Sequence, residues 1–295
     1  MQRSMLPEHP VDALTLAIVR AVAEAADHCE APFMIVGAAA RDIILGNVHG
    51  IAPRRATRDV DFAFALESWV EFDRLKTRLC ETGTFEADPD TQHRLFFGPG
   101  AGGSDGKRPG GFAVDIVPFG TIAGADNTLA WPPGLDILMN LAGYAEAMES
   151  ACSVQLAPDL TIRVASLPGL ALMKLFAWSD RGAANSHDAE DLLQLLQNYE
   201  RAGNADRIYD DECAEILEEV EHDPTRTGAW LLGADAGRLA TAETLALALR
   251  ILNLGRNVER LATVMSRSLA TRPDPFEHAR ELLELFRRGV EASTR

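Results

Sequence analysis

Residues 33–64 read FMIVGAAARDIILGNVHGIAPRRATRDVDFAF, and this stretch decides the fold of the chain. The apolar run from Phe33 to Val36 has the character of a strand, and it turns at Gly37 into a segment of helical period that stops at Gly46. After a basic loop the chain enters a second apolar run, from Val60 to Leu66. The pattern predicts a strand, a glycine turn, a helix and a second strand.

Two carboxylates interrupt the second apolar run. Asp59 and Asp61 are two residues apart, and because strand side chains alternate between faces, both project from one side of the strand. Like charges held this close repel each other unless a cation lies between them. Hard divalent ions take oxygen ligands, so the pair is suited to Mg²⁺.

A later strand carries a third carboxylate. Residues 93–97 and 112–119 each predict a strand, and the glycine-rich segment between them predicts a hairpin connection. Asp115 is the single charged residue of the second strand, and an isolated carboxylate in so apolar a strand is costly to bury. A metal ligand opposite the first two aspartates would account for it.

The composition is that of a soluble globular protein. With 295 residues, of which 47% are hydrophobic and 24% charged, the chain is long enough for one large domain or two ordinary ones. Its four cysteines lack a ligand-like spacing, which is typical of thiols in a reducing compartment. We find neither a signal peptide nor an apolar run long enough to span a membrane, so we expect a cytoplasmic protein without membrane association.

The net charge of −16 disfavours a non-specific nucleic-acid binder, because such proteins need cationic surface to displace counterions. A polyanionic substrate would have to be met by a local basic patch. The candidate residues for that patch are Arg54, Arg55, Arg58, Lys107 and Arg108. The alternative interpretation is that these side chains only balance neighbouring acidic residues.

Helical and strand patterns surround the deciding stretch. We expect amphipathic helices over residues 11–29 and 67–82, and a helix over residues 136–150 with Asp136 as its cap. Residues 152–156 and 161–165 predict a hairpin.

Beyond residue 166 the pattern is helical almost throughout. Lys174 lies in the apolar segment LPGLALMKLFAWSDR, where a lysine either extends to the surface along its stem or faces a phosphate, and Arg181 shares its face two turns later. The next helix opens with Asp188 and Asp191, which share a face. Acidic residues in a first turn are ordinary partners of the helix dipole, so their pattern alone does not demand a function.

The order of these motifs resembles a known family. Gly37-Ala38, then Asp59-x-Asp61, then an aspartate on a later strand resembles the nucleotidyltransferase superfamily of the polymerase-beta type. The phrase VGAAARDIILG…RDVDFAF is also similar to the opening of tRNA CCA-adding enzymes and bacterial poly(A) polymerases. The segment from Lys174 to Arg181 and the run HDAEDLLQLL resemble the AbiEii/AbiGii family of toxin nucleotidyltransferases.

The resemblance implies an α+β fold with an α/β-type core. We expect a nucleotidyltransferase-like mixed sheet flanked by helices, followed by a mostly helical C-terminal domain with four or five amphipathic helices after Ala205. The implied domains are a catalytic domain over residues 1–166 and a helical domain over residues 167–295, whose first helices contribute to the active site.

The resemblance also implies the roles of the site residues. Asp59, Asp61 and Asp115 would hold two Mg²⁺ ions, and an NTP would be the substrate. The nucleotide would be bound by backbone N–H groups of the glycine turn and by cationic side chains with their acidic partners. These residues are Gly37, Ala38, Arg41, Arg58, Lys174, Arg181 and Asp188, with Asp191 as a further catalytic residue beside Lys174.

The implied reaction is the metal-dependent transfer of a nucleoside monophosphate from an NTP to RNA, for example to the 3′ end of a tRNA. Such toxins belong to toxin–antitoxin or abortive-infection systems, so a cognate antitoxin is the expected protein partner. A small-molecule acceptor such as an aminoglycoside stays open, and the acidic net charge favours it. A third hypothesis is a non-catalytic nucleotide-binding or antitoxin-binding module, but the complete set of carboxylates argues against it.

Overall fold

The computed structural model describes residues 4–54, 57–98, 111–124, 126–132, 134, 138–182 and 186–293. The chain forms two compact units, one of residues 1–48 and 55–165 and the other of residues 49–54 and 166–295. The assignment of a catalytic domain to residues 1–166 and a helical domain to residues 167–295 stays a prediction.

The first unit begins with helix α1, Ala13–Cys29, whose N-cap Asp12 accepts a hydrogen bond from the backbone N–H of Thr15 at 2.9 Å. The deciding stretch then forms four consecutive elements, which match the predicted order. They are β1 (Phe33–Val36), α2 (Gly37–Arg41), a π-helical segment (Asp42–Val48) and β2 (Asp59–Ala65).

Seven further strands and two helices complete the first unit. They are α3 (Trp69–Glu81), β3 (Phe85–Ala87), β4 (Arg94–Phe97), β5 (Phe112–Phe119), β6 (Thr128–Ala130), β7 (Leu138–Asn140), α4 (Tyr144–Glu149), β8 (Cys152–Ala157) and β9 (Leu160–Val164). In the described residues, seven of the strands form one mixed sheet in the order β3-β4-β5-β2-β1-β9-β8, and β6 pairs with β7 separately. The predicted mixed sheet flanked by helices is confirmed.

Strand β2 lies at the centre of this sheet because one of its faces is wholly apolar. Val60, Phe62 and Phe64 are at most 1% exposed, and the Phe64 ring stacks on Phe33 of β1 at a centroid distance of 5.4 Å. β2 pairs antiparallel with β1 and parallel with β5. The aspartates of β2 therefore lie on a strand held from both edges.

The predicted helix over residues 136–150 is wrong in its first half. Leu138–Asn140 is strand β7, paired antiparallel with β6, and helix α4 begins only at Tyr144, after Gly143 at φ 86°. Pairing with β6 is a contact between segments that the local pattern does not reveal, so it overrides the helical period. Asp136, the expected cap, lies outside the described residues.

The second unit is helical. It begins with α5 (Leu167–Arg181), which is capped by Ser166. The other helices are α6 (His187–Asn198), α7 (Ala214–Glu219), α8 (Pro224–Leu239), α9 (Ala242–Leu252), α10 (Gly255–Arg267) and α11 (Pro275–Ala292). The described residues after Ala205 thus hold five α-helices, as predicted. None of the helices in the described ranges combines the length and apolar character needed to cross a membrane.

Helices α8 and α11 pack with their backbones in direct contact. A Cβ atom at Gly289 would lie 2.0 Å from the carbonyl oxygen of Trp230, and one at Gly233 would lie 2.1 Å from the carbonyl oxygen of Phe286. Real Cβ atoms do not approach backbone oxygens this closely, so the two helices depend on glycine at both positions.

We therefore predict that Gly289→Ala lowers the free energy of unfolding by about 3 kcal/mol, because α11 must move away from α8. Gly255→Ala is the matched control, since no atom lies within 4 Å of an added Cβ at the start of α10, and it should stabilise the protein by about 0.5 kcal/mol. Urea unfolding followed by circular dichroism measures both changes. Equal stability of the two variants would contradict this account of the helix packing.

Candidate metal and nucleotide site

The strand register of the first unit brings three carboxylates together. β2 and β5 pair in parallel with Asp61 opposite Asp115, and Asp59 lies two residues before Asp61 on the same face. One oxygen from each carboxylate lies within 4.8 Å of the others. Oxygen ligands on opposite sides of one ion are separated by about 4.2 Å for Mg²⁺ and about 5 Å for Ca²⁺, so the spacing of this donor set is in the range of hard divalent cations. We call these three residues the aspartate trio.

The glycine turn lies against the aspartate trio. Gly37 has φ 67°, and a Cβ atom there would lie 2.0 Å from Oδ2 of Asp61. Any side chain at this position would displace the carboxylate as well as strain the backbone. Gly37 thus lets the turn between β1 and α2 reach the trio, while Ala38 is buried.

Arg94 of β4 is a member of the site that the sequence analysis missed. It lies opposite Asp115 in the antiparallel pairing of β4 with β5. Its Nε donates to Oδ1 of Asp115 at 2.8 Å and its Nη2 to Oδ2 at 2.7 Å, so the pair is bidentate. The pKa of Arg94 is raised, chiefly by these hydrogen bonds, and the charges of Asp59 and Asp61 raise it further.

One feature of the sequence indicates the pairing of Arg94 with Asp115. Arg94 opens an apolar strand, just as Asp115 is the single charge of another, and opposite charges at matching places on two hairpin strands are a pairing signal. The register could not be derived from the sequence, because only a short turn of known type fixes the register of a hairpin and the segment between these strands is long.

The two predicted phosphate-binding arginines near the trio differ in exposure. The Arg41 side chain is 2% exposed, and its Nε and Nη2 donate to Oδ1 of Asp42 at 2.9 and 2.6 Å. The Thr57 hydroxyl donates to the other oxygen of Asp42. Arg58, directly before β2, is exposed to solvent. Burial thus makes Arg41 part of the support of the turn, whereas Arg58 can meet a ligand from solvent.

Of the other residues of the predicted basic patch, only Arg54 lies within the described residues. Arg54 belongs to the second unit, where it donates to the carbonyl oxygen of Ser268 at 2.9 Å and to Oε1 of Gln197 at 2.7 Å. The remaining members, Arg55, Lys107 and Arg108, lie outside the described residues.

The second unit gathers the later predicted residues into one charged cluster. Nζ of Lys174 lies 3.2 Å from Oδ1 of Asp188 and 2.7 Å from Oδ2 of Asp191. Nη2 of Arg181 lies 2.9 Å from Oδ2 of Asp188, an ion pair too oblique for a hydrogen bond. Both aspartates are at most 2% exposed, whereas the Arg181 side chain is 55% exposed. The two carboxylates therefore position the lysine amine.

We predict that Lys174→Met lowers the free energy of unfolding by about 3 kcal/mol, because it leaves two buried carboxylates without their shared cation. Lys76→Met is the matched control. Lys76 is only half-buried and donates to the carbonyl oxygen of Gln92 at 2.7 Å, so its loss should cost about 1 kcal/mol or less. Thermal or urea unfolding of both variants measures the difference. A Lys174→Met protein as stable as the Lys76→Met protein would contradict the role of Lys174 in holding the cluster.

Several solved nucleotidyltransferase structures resemble the chain at low identity. ANT(2″)-Ia in complex with adenylyl-2″-tobramycin is 16% identical, with 70% of this chain and 97% of that chain covered and a TM-score of 0.39. An antigenic nucleotidyltransferase-like protein from Paracoccidioides brasiliensis is 14% identical, with 72% and 95% covered and a TM-score of 0.42. The Thermotoga maritima CCA-adding enzyme complexed with tRNA is 10% identical, with 96% and 82% covered and a TM-score of 0.26.

Because the identities and TM-scores are low, we assign no function from these structures. The comparison with curated proteins found no match. The model of the nucleotidyl transferase AbiEii toxin family, type IV toxin–antitoxin system, matches residues 27–281. That range includes the glycine turn, the aspartate trio and the charged cluster around Lys174. The chain is therefore a nucleotidyltransferase and belongs to the AbiEii family.

Proposed function

We propose that this nucleotidyltransferase transfers a nucleoside monophosphate from an NTP to RNA, at the 3′ end of a tRNA, as the toxin of a toxin–antitoxin system. The observation that carries the proposal is the aspartate trio, whose oxygens lie within 4.8 Å of one another beside a glycine turn. The family description supports the toxin role and, with it, a cognate antitoxin as partner.

The trio is proposed to hold two Mg²⁺ ions. Its three carboxylates offer only oxygen atoms, which this ion prefers, and their spacing fits the ion. Mg²⁺ bound there would neutralise triphosphate charge and lower the pKa of the attacking hydroxyl. The protein's part is to fix the ligands: the pairing of β2 with β5 sets Asp61 against Asp115, and Arg94 holds both oxygens of Asp115.

Nucleotide binding is proposed to use the glycine turn and the exposed cations. Backbone N–H groups at Gly37 and Ala38 would receive phosphate oxygens at the start of α2. Arg58 is exposed before β2 and would add positive charge, whereas the buried Arg41 would support the turn through Asp42.

The charged cluster of the second unit is proposed to act on the nucleotide through its cations. Lys174, oriented by Asp188 and Asp191, would neutralise charge on the triphosphate. Arg181 would add a second positive charge for the triphosphate. Its guanidinium pairs with Asp188 but stays exposed to solvent.

A small-molecule acceptor is the second candidate. The net charge of −16 weakens long-range attraction to RNA and favours a cationic acceptor such as an aminoglycoside. RNA binding would then depend on contacts close to the transferred group.

We predict that Asp61→Asn lowers the labelling of total RNA from α-³²P-labelled NTP by at least about a hundredfold, because it removes one carboxylate from the trio. Asp159→Asn makes the same chemical change on an exposed hairpin residue paired with Arg20, and it should label RNA at the wild-type rate. Circular dichroism confirms that both variants are folded. Equal labelling by wild type and Asp61→Asn would exclude the metal role.

The acceptor is identified by giving the protein Mg²⁺ and each labelled NTP in turn, with total tRNA in one reaction and aminoglycosides in another. We expect label in the tRNA pool, carried by its 3′ end, with a preference for one NTP. Label in the aminoglycoside pool alone would replace RNA with the small-molecule acceptor. Asp61→Asn serves as the blank in both reactions.

A further inference from the structure

Arg94 is placed on the trio by the sheet itself. Antiparallel pairing puts it directly across from Asp115, and both side chains leave the sheet on the trio's face. The Arg94 side chain is 34% exposed, whereas that of Asp115 is 11% exposed. The guanidinium thus covers the least accessible carboxylate and engages both of its oxygens.

Among these four side chains, the acidic groups outnumber the basic one. The trio carries three negative charges within 4.8 Å, and like charges at this separation repel strongly where solvent is partly excluded. Arg94 adds one positive charge beside them, held on Asp115 by two hydrogen bonds. Counting these four alone, the charge falls from −3 to −2, so Arg94 reduces the repulsion that would drive the carboxylates apart.

A divalent cation bound at the trio would lie close to the positive charge of the Arg94 guanidinium. Arg94 repels a cation at the trio and already engages the oxygens of Asp115 through two hydrogen bonds. An arginine that only fixed the position of Asp115 would improve cation binding, because a preformed ligand set costs less to organise. The two roles therefore predict changes of opposite sign when Arg94 is replaced.

We infer that Arg94 is the internal counter-ion of the aspartate trio: it keeps the carboxylates assembled when no cation is bound and lowers their affinity for a free divalent cation. This inference rests on the proposed function, because it takes the trio as a cation site. Arg94 is a positioning residue that acts through Asp115. It stabilises the metal-free protein by offsetting the repulsion among the three carboxylates.

The test is Mn²⁺ binding to the full chain without nucleotide, measured by electron paramagnetic resonance and calorimetry. Arg94→Gln should bind Mn²⁺ about tenfold more tightly than wild type, because a unit positive charge beside the cation is removed. Arg94→Lys keeps that charge and should stay within about threefold of wild type. Arg20→Gln, which breaks an exposed pair with Asp159, is the matched control and should not change Mn²⁺ affinity.

Thermal unfolding supplies a second measurement. Without metal, Arg94→Gln should unfold at a lower temperature than Arg20→Gln, and saturating Mn²⁺ should restore it more than it stabilises wild type. Refolding of Arg94→Gln only in the presence of Mn²⁺ would also support the inference. Failure to fold even with Mn²⁺ would overturn it, because Arg94 would then be needed for the sheet rather than for charge.

The outcomes separate the inference from the proposed function. If wild type binds Mn²⁺ and Asp61→Asn does not, the cation site stands, and unchanged or weaker binding by Arg94→Gln overturns the counter-ion role alone. If wild type and Asp61→Asn bind Mn²⁺ equally, or neither binds, the trio is not a cation site. The proposed metal chemistry and the inference then both fail.

Discussion

Three carboxylates within 4.8 Å of one another repel, and the first unit is built to hold them there. The constraint is the parallel pairing of β2 with β5, which sets Asp61 against Asp115 in the middle of a seven-stranded sheet. Buried apolar residues on the opposite face of β2 anchor that strand, so repulsion on one face is opposed by packing on the other. Gly37 and Arg94 then complete the surroundings of the carboxylates.

Buried charge is handled differently in the second unit. There the buried Asp188 and Asp191 face Lys174, and the half-buried Asp235 accepts hydrogen bonds from Tyr199 and Arg207, so each of these three carboxylates has a cation or hydroxyl partner. The pKa of Asp235 is lowered by these hydrogen bonds against the opposing effect of burial. In the trio, three carboxylates lie together and Arg94 pairs with one of them, Asp115, so the trio offers several oxygen ligands to a divalent cation.

Patterns within short segments of the sequence predicted several strands and the glycine turn correctly. The alternation in β2, the glycine after β1 and the apolar strand around Asp115 led to strands that the structure contains and to three aspartates that it brings together, because period-two alternation and positive φ are properties of short segments. The same method failed at residues 138–140, where pairing with β6 makes a strand of a segment with helical character. A short segment of sequence does not reveal which distant strand it will pair with.

Residue order and spacing alone were enough to identify the AbiEii family, the glycine turn and the shared face of Asp59 and Asp61. The three-dimensional structure was needed to show that Asp115 lies beside them, that Arg94 holds Asp115 and that Lys174 is held by Asp188 and Asp191. It was also needed to show that Arg41 is buried on Asp42. These contacts depend on strand register and helix packing. Both are set by the burial of apolar surface contributed by distant parts of the chain, which no single stretch contains.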